Sequence, residues 1–221
     1  MKKSFTAPSY IFEIIAALFV STLILSNIVS IKPVQIGPAV FDAGTILFPL
    51  AYIIGDIVTE VYGFKRTKRL LVISCFILVM MSVLFWIVSA MPAPVSWSGQ
   101  ESFDSTLGVV WRISFASIVA IFIGELLNAY VLSYMKLKLK GKQLWGRLVG
   151  STVIGAGFDT VIFSVLAFWG TMPIAVLIQL IVTVYLIKIA TEVLVSPLTM
   201  LVIRWIKKRE GVDVYERPSL I

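Results

Sequence analysis

The sequence predicts an all-α integral membrane protein, a bundle of six transmembrane helices with both termini in the cytoplasm. Of its 221 residues, 59% are hydrophobic and 14% are charged, and the mean hydropathy is +0.98. Runs of about 20 apolar residues, the length that crosses a bilayer, fill most of the chain and leave no room for a separate soluble domain. The basic residues lie between those runs, and mostly on one side. We therefore expect a single transmembrane domain over residues 1–221.

The six helices follow in order from the apolar runs. We expect them at about residues 10–29, 40–61, 70–91, 109–135, 148–169 and 174–206. The first run follows Lys2 and Lys3, as in a signal peptide. It is too long for one and no convincing cleavage site follows, so we expect a retained helix. Pro49 lies within the second helix and should kink it, because proline cannot donate the N–H bond of the helical ladder.

The basic residues predict the orientation of the bundle. Sixteen of the 19 Lys and Arg residues fall at the amino end, in 65–69, in 136–147 and at the carboxyl end. The opposite connections hold Lys32, and the remaining two basic residues lie within spans. The positive-inside rule therefore places both termini in the cytoplasm. Basic loops at a membrane face lipid headgroups, so the net charge of +7 does not indicate nucleic-acid binding.

Several kinds of enzyme are excluded by what the sequence lacks. There is no histidine, which excludes Ser-His-Asp hydrolysis, HExxH zinc sites and histidine proton relays. The single cysteine, Cys75, lies in an apolar run, cannot form a disulfide within the chain and is expected to pack as a small apolar side chain. No Walker A pattern is present, so ATP hydrolysis by this chain is not expected. We expect no enzymatic activity, no metal and no cofactor.

Acidic residues within the predicted spans are the main functional signal. Phe48, Tyr52, Asp56 and Glu60 recur every four residues and form one stripe on the second helix. Asp159 lies close to the middle of the fifth helix. A carboxylate at bilayer depth is costly to bury, so it usually faces a partner, a water-filled cavity or a substrate path. We interpret Asp56 and Asp159 as two halves of a solute-binding site, although Glu60 could also reach water or Lys65.

Other polar residues of the spans extend this hypothesis. Asn27 offers an amide that both donates and accepts. Lys188 and Glu192 lie one turn apart, so Lys188 could pair with Glu192 or with a carboxylate across the bundle. The predicted substrate-binding residues are Asn27, Phe48, Tyr52, Asp56, Glu60, Asp159, Lys188 and Glu192. The predicted gate or ion-pair residues are Lys32, Asp42, Arg112 and Glu125, and the role of Asn128 stays open.

The residue types indicate the chemistry of the solute. Carboxylates, an amide and aromatic rings suit a flat ligand with several N–H donors, and a guanine-like edge can donate two N–H groups to one carboxylate. From this chemistry alone, a metal ion or a polyamine would fit nearly as well. The carboxylates therefore predict a donor-rich ligand without identifying it.

The order and spacing of several motifs resemble the queuosine precursor transporters, also called the VUT family, over about residues 20 to 200. The motifs are Ser26-Asn27-Ile28 with Lys32, Phe48-Pro49, Tyr52, Asp56, Glu60-Val61-Tyr62-Gly63, Trp145, Arg147, Ser151, Asp159-Thr160, Ile162-Phe163, Ala167-Phe168, Lys188, Glu192 and Pro197. The resemblance implies import of 7-deazaguanine bases, such as 7-cyano-7-deazaguanine and 7-aminomethyl-7-deazaguanine, for salvage into the tRNA nucleoside queuosine. It also implies that Asn27, Asp56, Glu60, Asp159 and Glu192 line the cavity, with Lys188 beside a carboxylate or the ligand carbonyl.

The expected partners and location follow from the same resemblance. We expect a multi-pass protein of the bacterial inner membrane whose partners are the lipid bilayer and a small purine-like molecule. We expect no nucleic acid as a partner, and a homodimer is an open alternative. Transport would proceed by alternating access, either coupled to protons or as facilitated diffusion.

Two other functions were compared with transport by this chain alone. The substrate-binding subunit of an energy-coupling-factor importer also has six helices, but its Ala-x-x-x-Ala docking face is poorly matched by Ala16-Ala17 and Val20-Ser21. An intramembrane aspartyl protease would use two aspartates that share a proton. Its Gly-x-Gly-Asp context is absent, because Ile53 stands where the first glycine is needed before Asp56.

Overall fold

The protein is a bundle of six long α-helices, described here from a computed structural model that covers residues 10–37, 39–108 and 110–219. The long helices are α1 (Tyr10–Val29), α2 (Phe48–Tyr62), α3 (Phe64–Ala90), α5 (Val110–Lys138), α6 (Leu144–Phe168) and α7 (Ile174–Glu210), and a short helix α4 (Gln100–Leu107) lies between α3 and α5. Within the described residues, five helices are long and apolar enough to cross a membrane. The predicted all-α membrane bundle is confirmed. The orientation stays a prediction, and Lys2 and Lys3 lie outside the described residues.

The second predicted helix was wrong in its first half. Residues Pro33–Ile36 (β1) and Ala39–Asp42 (β2) form an antiparallel hairpin, and a 3₁₀ turn over Ala43–Ile46 follows. Helix α2 begins only at Phe48, so Pro49 lies in its first turn. The missing N–H of proline has no helical partner to lose there, so Pro49 helps the helix to begin and does not kink it.

Residues 41–45 of the irregular backbone before α2 are held inside the protein, whereas strand β1 is mostly exposed. Helix α2 has 15 residues, which cover about 22 Å at about 1.5 Å per residue, less than the hydrocarbon core of about 30 Å. Non-helical backbone at membrane depth is tolerated only where protein covers it. Here Gly44 packs so closely on α1 that a Cβ at this position would lie 2.7 Å from the carbonyl oxygen of Ser26. The hairpin and the 3₁₀ turn are therefore part of the bundle.

Helix α3 also begins earlier than predicted. The basic stretch Lys65–Arg69 was expected to be a turn, yet it forms the first turns of α3, which starts at Phe64. Gly63 alone makes the connection from α2, with a φ of +89° that only glycine adopts easily. The four basic side chains consequently project from a rigid helix end.

Within the described residues, the buried apolar side chains form three clusters. One large apolar cluster joins residues of α1, α2, α3, α5, α6 and α7, while smaller clusters join α5 to α6 and the hairpin residue Phe41 to α7. Helices α5 and α6 approach very closely at two glycines. A Cβ at Gly124 would lie 2.9 Å from the carbonyl oxygen of Gly155, and a Cβ at Gly155 would lie 2.5 Å from Cβ of Asn128. This close contact brings the polar side chains of α5 and α6 together.

Candidate substrate site

The polar stripe predicted on helix 2 points into the bundle. Phe48, Tyr52, Asp56 and Glu60 are all buried, and the exposed fraction of Asp56 is 0%. They share one face because residues four apart in a helix lie one above the other. The two carboxylates of the stripe nevertheless have different surroundings, and only Asp56 joins the cluster described next.

Asp56 meets helix α5 through Asn128. The Asn128 side-chain N–H donates to Oδ1 of Asp56 at 2.8 Å. The second carboxylate oxygen of Asp56 and the amide oxygen of Asn128 are buried and have no hydrogen-bond partner within the described chain. Both atoms are acceptors, so this contact leaves two acceptor positions open towards the interior.

Glu125 lies one turn before Asn128 and faces the same region. Its exposed fraction is 3%, and neither carboxylate oxygen has a hydrogen-bond partner among the described residues. Gly55 makes room for it, because a Cβ at position 55 would lie 2.9 Å from Oε2 of Glu125. A buried acceptor without a donor costs about 1–3 kcal/mol, and more when it is charged. Glu125 is thus prepared for a donor or a proton.

Lys188 pairs across the bundle with Asp159. The two side chains form a buried ion pair between α7 and α6. The Lys188 ammonium also lies over two aromatic rings, 4.2 Å from the centroid of Phe48 and 5.5 Å from that of Tyr52. Such a cation–π arrangement stabilises a desolvated ammonium. Glu192 instead accepts a hydrogen bond from the hydroxyl of Ser196 at 2.8 Å.

These side chains form one acidic cluster in the middle of the bundle, which we call the central cluster. Its members are Tyr52, Asp56, Glu125, Asn128, Asp159, Lys188 and Glu192, and all are buried. Four carboxyl groups therefore share a single ammonium. Between α2 and α7, the cluster borders a cavity of about 10 Å³ that is lined by Pro49, Tyr52, Ile53, Lys188, Thr191 and Glu192. That volume is about the size of one water, so the protein is closed around the cluster.

Comparison with known proteins identifies the family. Residues 42–202 match the family model described as "Putative vitamin uptake transporter". That match covers well over half of the chain and includes every member of the central cluster. The chain belongs to the vitamin uptake transporter (VUT) family. It is accordingly a transporter and not an enzyme, and a multi-pass protein of the bacterial inner membrane, which excludes the aspartyl protease hypothesis.

Three curated relatives are similar to this VUT chain over part of its length. A "Probable queuosine precursor transporter" of Bacillus subtilis (strain 168) is 24% identical over 175 residues, which cover 79% of this chain and 76% of the relative. A protein of the same description from Haemophilus influenzae is 25% identical over 57% of this chain and 51% of the relative. The "Queuosine precursor transporter" of Escherichia coli (strain K12) is 23% identical over 69% of this chain and 66% of the relative. No solved structure matches the chain significantly.

Glu60 of the VUT chain lies in a separate ion network at one end of the bundle. Its carboxylate accepts from Arg147 at 2.5 and 3.1 Å and from Lys207 at 2.7 Å, and Lys136 lies 3.5 Å away. Glu60 and Arg147 are 1% and 0% exposed. We call this set the terminal network. From the sequence, its three basic residues were interpreted as orientation signals, and Arg147 also as part of the family resemblance, without pairing any of them with Glu60. Arg147 stands directly before an apolar run, which was a signal for a buried partner.

The carboxyl-terminal tail covers the terminal network. Asp213 pairs with Lys136 at 2.6 Å and with Lys207 at 2.9 Å, and the Val214 N–H donates to the carbonyl of Val61 at 3.2 Å. Partial burial alone would raise the pKa of the Asp213 carboxyl, but the hydrogen bonds from both lysines outweigh it and hold that pKa below its ordinary value. Because the family match ends at residue 202, these tail contacts lie beyond the part of the chain that matches the VUT model.

The remaining predicted residues lie towards the opposite end of the bundle. Asp42 accepts from the hydroxyls of Ser30 at 2.7 Å and Thr45 at 2.9 Å, which ties the hairpin to α1. Arg112 donates to the last carbonyls of α6, and Lys32 is exposed. The Asn27 amide donates to its own helix at 2.9 Å, while its buried oxygen has no partner in the described parts of the chain. Within the described residues, no hydrogen bond joins the Asn27 side chain to the central cluster.

Proposed function

We propose that this chain imports queuosine precursors, 7-deazaguanine bases such as 7-cyano-7-deazaguanine and 7-aminomethyl-7-deazaguanine, for salvage into tRNA queuosine. The names of its three relatives support this proposal. The observation that carries it is the set of buried, unpartnered acceptors on Asp56, Glu125 and Asn128. A deazaguanine offers the complementary donors: a ring N–H beside an exocyclic amine, and a further N–H on the five-membered ring.

Glu125 is the best partner for the guanine-like edge. Both of its oxygens are unpartnered, whereas Asp56 has one oxygen engaged by Asn128 and Asp159 is paired with Lys188. A carboxylate with two open oxygens accepts two parallel N–H bonds, which is the stronger and more selective geometry. The open atoms of Asp56 and Asn128 would accept the remaining donors. Phe48 and Tyr52 would stack on the flat ring, next to Lys188 at the ligand carbonyl.

A base lacking these donors would be rejected. Adenine-like and hypoxanthine-like molecules present fewer N–H groups on the same edge, so at least one acceptor would stay buried and unpartnered. Sites built to pair a polar group reject analogues without it far more strongly than apolar pockets reject a missing methylene. We therefore expect guanine-like selectivity, with the central cluster as its source.

Transport requires the closed bundle to open in turn at each end. The space beside the cluster is too small for a purine, so α2 and α7 must separate to admit one. With both termini placed in the cytoplasm, the terminal network forms the inner barrier and the hairpin with Asp42 forms part of the outer one. Opening each barrier alternately around a central site is alternating access. Protons are a plausible coupling ion, because the cluster holds four carboxyl groups and one ammonium.

Uptake in a cell that cannot synthesise the base tests this proposal. Expression of the chain should restore queuosine-modified tRNA when a precursor is supplied in the medium. Glu125→Gln and Asp56→Asn should each lower uptake strongly, while the control Glu101→Gln, which changes an exposed carboxylate on α4, should not. Failure of every deazaguanine to restore modified tRNA would overturn the function. Copurification with a coupling subunit and ATPases would instead identify a subunit of an energy-coupling-factor importer.

A further inference from the structure

Helix α3 has an open groove on each side, at the end where its basic residues project. The first groove, between α1 and α3, encloses about 690 Å³ and is lined by Phe12, Ala16, Ala17, Val20, Ser21, Arg66, Arg69, Leu70, Ile73 and Ile77. The second groove encloses about 460 Å³ and is lined by Lys65, Lys68, Arg69, Val72, Ile73 and Ser219. The two grooves meet at Arg69 and Ile73, which line both. Each is therefore an apolar trough with cations at one end, and the cationic ends are adjacent.

The shared end carries a net positive charge. Lys65, Arg66, Lys68 and Arg69 place four basic side chains at this end. Glu216 accepts from the backbone N–H of Lys65 at 2.6 Å. Within the described residues, neither arginine forms a salt bridge with a carboxylate. The two guanidinium charges of Arg66 and Arg69 are therefore available to an anionic group.

Arg66 is held in position for such a group. Its guanidinium lies 5.4 Å from the ring centroid of Phe12 and 5.6 Å from that of Tyr62. These rings orient the planar fork at the mouth of the first groove without neutralising its charge. A guanidinium held in this way suits a phosphate, which it can bind through two parallel hydrogen bonds.

We propose that the two grooves bind one anionic phospholipid of the cardiolipin type, with two phosphates and four acyl chains. The two phosphates lie over the basic first turns of α3, and the acyl chains divide between the troughs on either side of this helix. Charge complementarity selects an anionic lipid, because basic pockets between transmembrane helices near the headgroup level bind such lipids. The joining of two troughs at one cationic end favours a lipid with two linked phosphates over one with a single phosphate. This proposal does not depend on the transported solute.

Binding of defined lipids to the purified, delipidated full-length chain tests the proposal. Native mass spectrometry would compare tetraoleoyl cardiolipin, dioleoyl phosphatidylglycerol and dioleoyl phosphatidylcholine at equal phosphate concentration. We expect one cardiolipin per chain, retained about tenfold more strongly than phosphatidylglycerol, and no selective retention of phosphatidylcholine. The paired substitution Arg66→Gln with Arg69→Gln should weaken cardiolipin binding about tenfold or more. The control pair Lys138→Gln with Lys140→Gln removes the same charge from exposed positions at the end of α5 and should leave binding unchanged.

A substitution that changes no charge tests the contribution of the apolar groove to lipid binding separately from that of the basic residues. Ala17→Trp places a large side chain on an exposed position that lines the first groove, and it should abolish the preference for cardiolipin. If Arg66→Gln does not fold because it loses its contacts with the two rings, lipid binding by Arg69→Gln and by Ala17→Trp tests the proposal instead. Equal retention of cardiolipin and phosphatidylglycerol would overturn the two-phosphate assignment. An equal loss in the control pair, or unchanged selectivity in Ala17→Trp, would overturn the site itself.

Discussion

The substitution Gly55→Ala separates the proposed role of Glu125 in binding from its role in stability. A Cβ at position 55 would lie 2.9 Å from Oε2 of Glu125, 3.6 Å from its Cδ and 3.9 Å from a ring carbon of Phe19. Ordinary contact begins at 3.4 Å, so only one atom is too close. That atom is the end of a flexible side chain, and it must retreat by about 0.5 Å to reach normal van der Waals distance.

Stability and binding should respond to this displacement in opposite directions. Replacing glycine by alanine within a helix gains about 1 kcal/mol of helix propensity, which offsets the small strain of moving the carboxylate. A ligand hydrogen bond that was at 2.9 Å would be stretched beyond the normal range by a 0.5 Å retreat. Hydrogen bonds to charged groups contribute about 1.5–3 kcal/mol. The KM for uptake of the precursor should therefore rise about 10- to 100-fold, while the thermal stability of the protein stays the same or increases.

The assay compares initial rates of labelled precursor uptake with thermal unfolding of the purified protein in detergent. Gly157→Ala is the matched control, because it adds the same methyl group within helix α6, where the nearest atom belongs to Tyr185 at an ordinary 3.6 Å. The control should leave KM unchanged. An unchanged KM in Gly55→Ala, or an equal rise in both variants, would refute the argument that Glu125 contacts the ligand.

Three further predictions concern the packing and the ion pairs. Gly155→Val should lower the free energy of unfolding by about 1–3 kcal/mol and reduce the amount of folded protein, because its side chain would collide with α5 at Asn128 and neither backbone can yield cheaply. Asp159→Asn should destabilise by about 3–5 kcal/mol in thermal unfolding, since it leaves Lys188 buried without its partner; adding Lys188→Met should restore much of that stability but not uptake. The folded-state pKa of Asp213 is lowered, so its contribution to tail docking is present above the ordinary aspartate pKa of about 3.9 and is lost as pH falls through the lower folded value. The protection of the tail amides from hydrogen exchange, relative to the intrinsic rate at each pH, should thus fall at acidic pH, and Asp213→Asn should show the same fall at neutral pH.

Each of these outcomes has a result that would contradict it. The packing prediction would be wrong if Gly155→Val unfolded at the same temperature as the parent protein. The ion-pair prediction would be wrong if Asp159→Asn were as stable as the variant that also carries Lys188→Met. For the tail, protection from exchange that is independent of pH in the parent and unchanged in Asp213→Asn would show that the tail is held without the aspartate charge. In that case the backbone contact of Val214 would be the main attachment.

The residues that share one face of a helix were predictable from the helical period alone. The four-residue spacing of Phe48, Tyr52, Asp56 and Glu60 predicted a shared face, and all four are buried. The beginning of α2 was not predicted, because hydrophobicity does not distinguish a helix from an apolar hairpin that packs against α1. Pro49 was a usable signal, since proline favours the first turn of a helix over its interior, but the apolar residues before it concealed the boundary.

Which side chains pair across the bundle depends on distances between different helices, and the spacing of residues along the sequence does not give those distances. The sequence left Lys188 between Glu192 on its own helix and a carboxylate elsewhere, and packing of α6 against α7 selected Asp159. It grouped Glu60 with Asp56, but α5, α6 and α7 bring three basic side chains to Glu60 and, within the described residues, none of these three to Asp56. Glu125 gained its place facing the centre because Gly55 has no side chain to exclude it.

The sequence by itself determined that this protein is a helical membrane protein with carboxylates buried in its spans, because composition, apolar run length and helical period are local properties of a chain. Its resemblance to a transporter family, not these local properties, indicated transport. Only the tertiary structure decided which carboxylates are neutralised and which stay open. Asp159 and Glu60 are paired with buried cations, whereas Glu125 and one oxygen of Asp56 are not. The physical reason is that an ion pair is set by atoms a few ångströms apart on different helices, and the close packing of α5 on α6 through Gly124 and Gly155 brings those atoms together.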